Sequence, residues 1–179
     1  MSWNTHMLYL CSKLRVVSCM LYNTRVSIPV GVRLLMAHAL AYSVIRYGVT
    51  VFGNCSGRLQ TKVDTLLRGI LTSVAYNTPL STTLDIFKAL QLPNLRSLYI
   101  QMVILRNFWN KDFKTPPLPT RSLRCTPRFN VPRCWTRYGK CTRDYYVPTL
   151  FNALPDSILD ISSLKALKKE LKSVDLNIT

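Results

Sequence analysis

Leu59, Val63, Leu66, Leu67, Ile70, Leu71 and Val74 recur at i, i+4, i+7, i+8, i+11, i+12 and i+15, the spacing that lines one face of an α-helix. This stripe constrains the fold more than any other feature, because a helix with so long an apolar face must bury it against neighbours. The chain supplies them. Met7, Leu10, Cys11, Leu14, Val17 and Leu21 form a second stripe, predicting a helix from an Asn4 or Thr5 cap to about Asn23. Pro29 suits a first helical turn and opens a third segment carrying Leu34, Leu35, Leu40, Ala41, Val44 and Ile45. Gly48 and Gly53-Asn54 bracket a short, bent continuation. A short helix is expected from about Ser81 to Leu90, ending at Leu92-Pro93, and a longer one follows with Leu95, Leu98, Met102, Leu105 and Trp109 inward. Such stripes are what a helix bundle requires, so they read as core and not as cofactor contacts. The fold class is mainly α, with a helical bundle over residues 1–110.

The character of the chain changes near Asn110. Between Lys111 and Arg143 stand nine cations, Arg124, Arg128, Arg133, Arg137, Lys140 and Arg143 among them, against the single acid Asp112. Pro116, Pro117 and Pro119 oppose helix, so residues 111–130 read as a basic linker in extended chain. Residues 131–179 then read as a tail. Turn chemistry at Tyr138-Gly139-Lys140 predicts a small β-hairpin, followed by a helix starting near Pro148. Phe129, Trp135, Tyr138, Tyr145 and Tyr146 interleave with the arginines. These rings either stack on unpaired bases while arginine neutralises phosphate, or they anchor the hairpin to the helix. The whole 179-residue chain carries a net charge of +16, which favours an anionic partner, nucleic acid or an acidic protein. On the bundle, Arg58, Lys62 and Arg68 lie off the apolar stripe and are the first candidates for phosphate contacts.

Several chemistries lack their residues. Two-metal catalysis needs carboxylates close enough to bridge both ions. The acids are Asp64, Asp85, Asp112, Asp144, Asp156, Asp160, Glu170 and Asp175, with no adjacent pair. Cys125, Cys134 and Cys141 have irregular spacing and no nearby histidine, so reduced thiols are expected in place of a zinc site. His6 and His38 sit in apolar helices with no acid beside them. Gly53-Asn54-Cys55-Ser56-Gly57 has no Lys-Ser/Thr and reads as a helix-to-helix turn rather than a phosphate loop. The longest apolar run, Leu34 to Ile45, has 12 residues, short of a bilayer span. The expectation is therefore an intracellular chain, in nucleus or cytoplasm and not secreted. It has no cofactor, no small-molecule substrate and no membrane partner.

Four collinear blocks add a resemblance. Ser2-Trp3-Asn4-Thr5-His6-Met7 with Cys11-Ser12-Lys13-Leu14-Arg15, and Tyr47-Gly48-Val49-Thr50-Val51-Phe52-Gly53-Asn54, resemble segments following the palm in reverse transcriptases of non-LTR retrotransposons (LINEs) of the jockey-like group. Val131-Pro132 to Tyr138-Gly139-Lys140, then Leu150-Phe151-Asn152-Ala153-Leu154-Pro155 and Ser162-Ser163-Leu164-Lys165-Ala166-Leu167, are similar to the C-terminal tail of the same proteins. Phe52 and Phe151 replace tryptophan, Trp135 replaces a common arginine and Arg137 a common asparagine. The resemblance implies a thumb-like bundle and tail that grip RNA and DNA. The palm, with its Asp-Asp turn and Mg²⁺, would lie upstream of Trp3. On this view the chain is not an enzyme on its own, and the absent palm is a further partner whose removal would leave Met7, Leu10 and Leu14 partly bare. The alternative is a non-catalytic interaction module or a decayed transposon remnant.

Overall fold

The computed structural model describes residues 3–79, 85–108, 129–159, 161 and 163–173. Among them there is no strand. The elements are α1 (Asn4–Thr24), α2 (Val30–Met36), a π-helical turn (Ala37–Tyr42), α3 (Ser43–Phe52), α4 (Gly57–Val74), α5 (Ile86–Ala89), α6 (Leu95–Asn107), α7 (Arg137–Lys140), α8 (Arg143–Asn152), α9 (Asp156–Leu159) and α10 (Leu164–Ser173). The chain divides into two compact units, Met1–Tyr99 and Ile100–Thr179. Residues 111–128 of the expected linker and residues 81–84 of the helix expected over 81–90 lie outside the described residues.

In the first unit α4 packs along α1. Val63, Leu67, Ile70, Leu71 and Val74 bury the stripe read from sequence, facing Met7, Leu10, Cys11, Leu14 and Leu21 of α1. Burying each of these large side chains is worth about 1.5–3 kcal/mol, so the α1/α4 seam dominates the unit. Two expectations are corrected here. The α1 cap is Trp3, one residue ahead of Asn4, with no side-chain cap bond. Met7, Leu10 and Leu14 are buried, and the apolar residues α1 leaves exposed are Leu8, Tyr9 and Val16.

α2, the π turn and α3 form one helical stretch of 23 residues, Val30–Phe52, long and apolar enough to cross a membrane by length and composition. It packs against α1 and α4 along one face, and 28% of its apolar window is buried, less than a helix enclosed in a core would show. Its buried row is Arg33, Ala37, Ala41, Tyr42, Ile45, Val49 and Phe52. Continuing Arg33 and Ala37 at 3.6 residues per turn would bring Leu40 and Val44 inward, as expected from sequence. The π turn inserts one residue and advances the phase. Tyr42 thereby enters the core, its hydroxyl donating to the Pro93 carbonyl (3.0 Å), while Leu35, Leu40 and Val44 turn outward. The 53–56 turn is closed by Gln60, whose Nε2 donates to the carbonyls of Gly53 (3.0 Å) and Cys55 (3.1 Å).

The second unit is centred on Val103, Ile104, Phe108, Val147, Leu150, Phe151, Leu154, Ile158, Leu167 and Leu171. The β-hairpin expected over 131–146 is replaced by helix. Thr136 Oγ1 accepts the Gly139 N–H (3.1 Å), an N-cap that turns Arg137–Lys140 into α7. α8 begins at Arg143, not near Pro148, and carries that proline inside it. A proline in a helix interior costs about 3 kcal/mol. Burial of Val147, Leu150 and Phe151 around it offsets that. Phe129 pairs with a side chain instead of a strand: its N–H donates to Asn152 Oδ1 (2.9 Å) and its carbonyl accepts from Asn152 Nδ2 (3.0 Å). Inward on α6 are Leu95, Leu98, Tyr99, Ile100, Val103, Ile104 and Asn107, whereas Met102 and Leu105 are half-buried. Trp109 lies outside the described residues.

Candidate nucleic-acid interface

Along the outer edge of the α1/α4 seam the packing opens into a solvent-facing groove of about 640 Å³. Its floor is set by Gly69, where an added Cβ would stand 3.8 Å from Ser18 Oγ, so small groups meet where larger ones would fill the space. Arg15 from α1 and Arg68 from α4 line it, with the hydroxyls of Ser18, Thr65 and Thr72 between them. Thr65 and Thr72 donate back to the carbonyls of Thr61 (2.8 Å) and Arg68 (2.9 Å), so their hydroxyl protons are spent within α4 and only their oxygens remain as acceptors. Tyr22, also lining the groove, is 55% exposed. Its ring is held flat by Arg25, whose Cζ lies 3.5 Å from the ring centroid and 5.1 Å from that of Tyr76.

Of the cations predicted on α4, Arg58, Lys62 and Arg68 are all exposed. Only Arg68 lines the groove. At 3.6 residues per turn Lys62 and Arg68 project about 120° apart, so the three form a broad positive face and not one row. Asp64, one turn before Arg68, accepts the Leu95 N–H at Oδ1 (2.8 Å). Burial pushes its carboxyl above the usual carboxylate range, and the Leu95 amide and Arg68 oppose that shift. Burial likewise raises the Tyr42 phenol, with Arg46 lowering it and Asp64 raising it. The Cys55 thiol is raised by burial, lowered by its own backbone N–H and raised by Asp64, so it is a poor thiolate.

In the second unit the tail candidates separate by their use. Trp135 is 91% exposed and Tyr138 83% exposed, so neither ring anchors the fold. Phe129 does, packing edge-on against Phe151 with centroids 6.2 Å apart. Arg133 and Lys140 are exposed beside the two free rings. Arg143 donates from Nε to Asn107 Oδ1 (3.1 Å), and Asn107 donates to the Val103 carbonyl (2.8 Å), which ties α8 to α6. Arg143 is therefore partly structural. Arg124 and Arg128 lie outside the described residues, as does the side chain of Arg137.

Sequence reasoning missed Arg15, Ser18 and Tyr22, since their relevance depends on how α1 is rotated against α4. The signal available was that Arg15, Ser18 and Tyr22 recur at i, i+3 and i+7, beside the apolar stripe of α1. Among the described residues no cluster of three or more His, Cys, Asp or Glu could hold a metal ion, and Cys134 and Cys141 are free thiols. Comparison with protein-family models, curated proteins and solved structures finds no match.

Proposed function

We propose that the chain is a nucleic-acid-gripping portion of a jockey-like reverse transcriptase, contributing thumb and tail contacts to RNA and DNA without performing the polymerase chemistry. One observation carries this reading beyond charge: Trp135 and Tyr138 stand almost fully in solvent, flanked by Arg133 and Lys140, on a turn fixed by the Thr136 cap. Large rings held in water without a packing role supply the stacking surface, and adjacent cations supply counterion release. The eight acids of the chain include no adjacent pair to hold two Mg²⁺ ions, which assigns grip and not catalysis.

The alternative, an interaction module or a remnant without activity, is favoured by a different observation. Val32, Leu35, Leu40, Val44, Tyr47 and Val51 are exposed along one helical stretch, an apolar row suited to protein contact.

Fluorescence anisotropy of the full chain on a single-stranded homopolymer at several salt concentrations tests the reading. If about five cations meet phosphates, log affinity falls against log salt with a slope near −3.5, at roughly −0.7 per contact. Trp135→Ala weakens binding by about 1–3 kcal/mol with the slope unchanged. Its melting temperature stays that of the parent, because the ring is exposed. No binding, or a slope of zero, refutes the proposal, and Mg²⁺-dependent primer extension by the chain refutes the assignment of roles.

A further inference from the structure

The groove between α1 and α4 has features that packing alone does not require. Two guanidiniums, several hydroxyls and no carboxylate give its lining one sign of charge over a mostly apolar surface. Nearby Asp64 is engaged by the Leu95 amide. Gly69 on the floor keeps the space open, although a Cβ there would make only an ordinary contact. At one end Tyr22 presents a ring already stacked on one face by Arg25, so its orientation is fixed before any ligand arrives.

We infer that this groove is a seat for single-stranded nucleic acid, with consecutive phosphates on Arg15 and Arg68 and a base against Tyr22. The inference rests on the nucleic-acid reading above and assigns it a second, separate site in the first unit. The Ser18 hydroxyl can donate to a phosphate oxygen, and the Thr65 and Thr72 oxygens, their protons spent on Thr61 and Arg68, can accept from a ribose hydroxyl, contacts that position a strand without reading its sequence. The ring selects one strand over two: Tyr22, 55% exposed, can be covered by a base only when that base is unpaired and free of its duplex stack.

The test uses the full chain and short RNA and DNA oligonucleotides bearing a photoreactive 5-iodopyrimidine, with cross-links mapped by mass spectrometry. A cross-link to Tyr22 is expected. Arg15→Gln with Arg68→Gln lowers the magnitude of the salt slope by about 1.4, two contacts at roughly 0.7 each. Tyr22→Leu weakens binding about 5- to 150-fold with no change of slope, and Tyr22→Phe retains it. Gly69→Leu fills the groove while keeping every charge, and it weakens single-strand binding in a protein whose circular dichroism and melting temperature confirm folding. If the groove variants bind as the parent does while Trp135→Ala binds less, the groove inference falls and the proposed function stands. A preference for duplex over single strand overturns the groove inference alone. Absence of binding by the parent chain overturns both.

Discussion

Arg33 gives the sharpest test of how the first unit is held together. It is 3% exposed, yet its guanidinium donates Nη1 to the Ser73 carbonyl (2.8 Å) and Nη2 to the Tyr76 carbonyl (3.1 Å). Those acceptors sit at the C-terminal end of α4, where carbonyls lack helical partners and the dipole is negative. Hydrogen bonds from a charged donor are worth about 1.5–3 kcal/mol each. Against this, Nε is buried without a hydrogen-bond partner, a penalty of about 1–3 kcal/mol that disappears with the guanidinium. Arg33→Met keeps the stem's volume, but it strands the Ser73 carbonyl in a residue only 8% exposed, while Tyr76, at the surface, regains water. The net expectation is a loss of about 2–4 kcal/mol, the upper range for a single substitution. With a urea m-value of about 2 kcal/mol/M, the midpoint falls by roughly 1–2 M. Arg33→Lys, a point donor without the fork, lands between the two. Far-UV circular dichroism in urea reads the shift. A Met variant with the parent's midpoint and m-value would show that α4 is held by its apolar seam alone.

Gly53→Ala places a methyl against the Val49 carbonyl oxygen and the Tyr99 ring, so it should cost about 1–3 kcal/mol in the same assay, and an unchanged midpoint would count against the close approach. Asp64 has a folded pKa raised above its unfolded value, so the folded state binds the proton more tightly and stability drains away as pH rises from about 4 through the folded value. Asp64→Asn keeps an oxygen for the Leu95 N–H and removes the titration; its stability relative to the parent grows between pH 4 and 7, and parallel pH profiles would refute the argument. Leu35→Ser with Val51→Ser should reduce hydrophobic-dye binding and self-association by light scattering without lowering the melting temperature, because both side chains are exposed; a drop in melting temperature would contradict their placement.

The helices α1 and α4 were legible because their apolar spacing is regular and their partners are each other. Phase was lost where the backbone departs from 3.6 residues per turn. No periodicity marks the π turn at Ala37–Tyr42, yet it decides that Tyr42 and Ile45 face the core and that Leu40 and Val44 do not. The hairpin failed for a local reason. Tyr138-Gly139-Lys140 carries turn residues that serve a strand reversal or a helical turn equally well, and the hydroxyl of Thr136 three residues before Gly139 selects the helical one. Asn152 then takes the hydrogen bonds of Phe129 that a partner strand would have taken.

Candidate contacts were legible as residue types and not as places. Helical spacing opposite the apolar stripe singled out Arg58, Lys62 and Arg68 alike, whereas of the three only Arg68 lines the groove, and its companion Arg15 comes from a helix chosen for its core stripe. The interleaved aromatics were likewise indistinguishable in sequence. Burial separates them: Phe129 packs on Phe151, and Trp135 and Tyr138 remain in solvent. A ring that contributes nothing to packing loses nothing when a base covers it, whereas withdrawing Phe129 from Phe151 would forfeit buried apolar area. The same distinction applies to the cations. Arg33 and Arg143 are committed to Ser73, Tyr76 and Asn107, and recruiting them to phosphate would break bonds that hold each unit. Arg15, Arg133 and Lys140 carry no such commitment among the described residues, so neutralising them should change the salt dependence of binding and leave the unfolding midpoint where it was, whereas Arg68 also offsets the burial of Asp64 and its loss should lower the midpoint slightly.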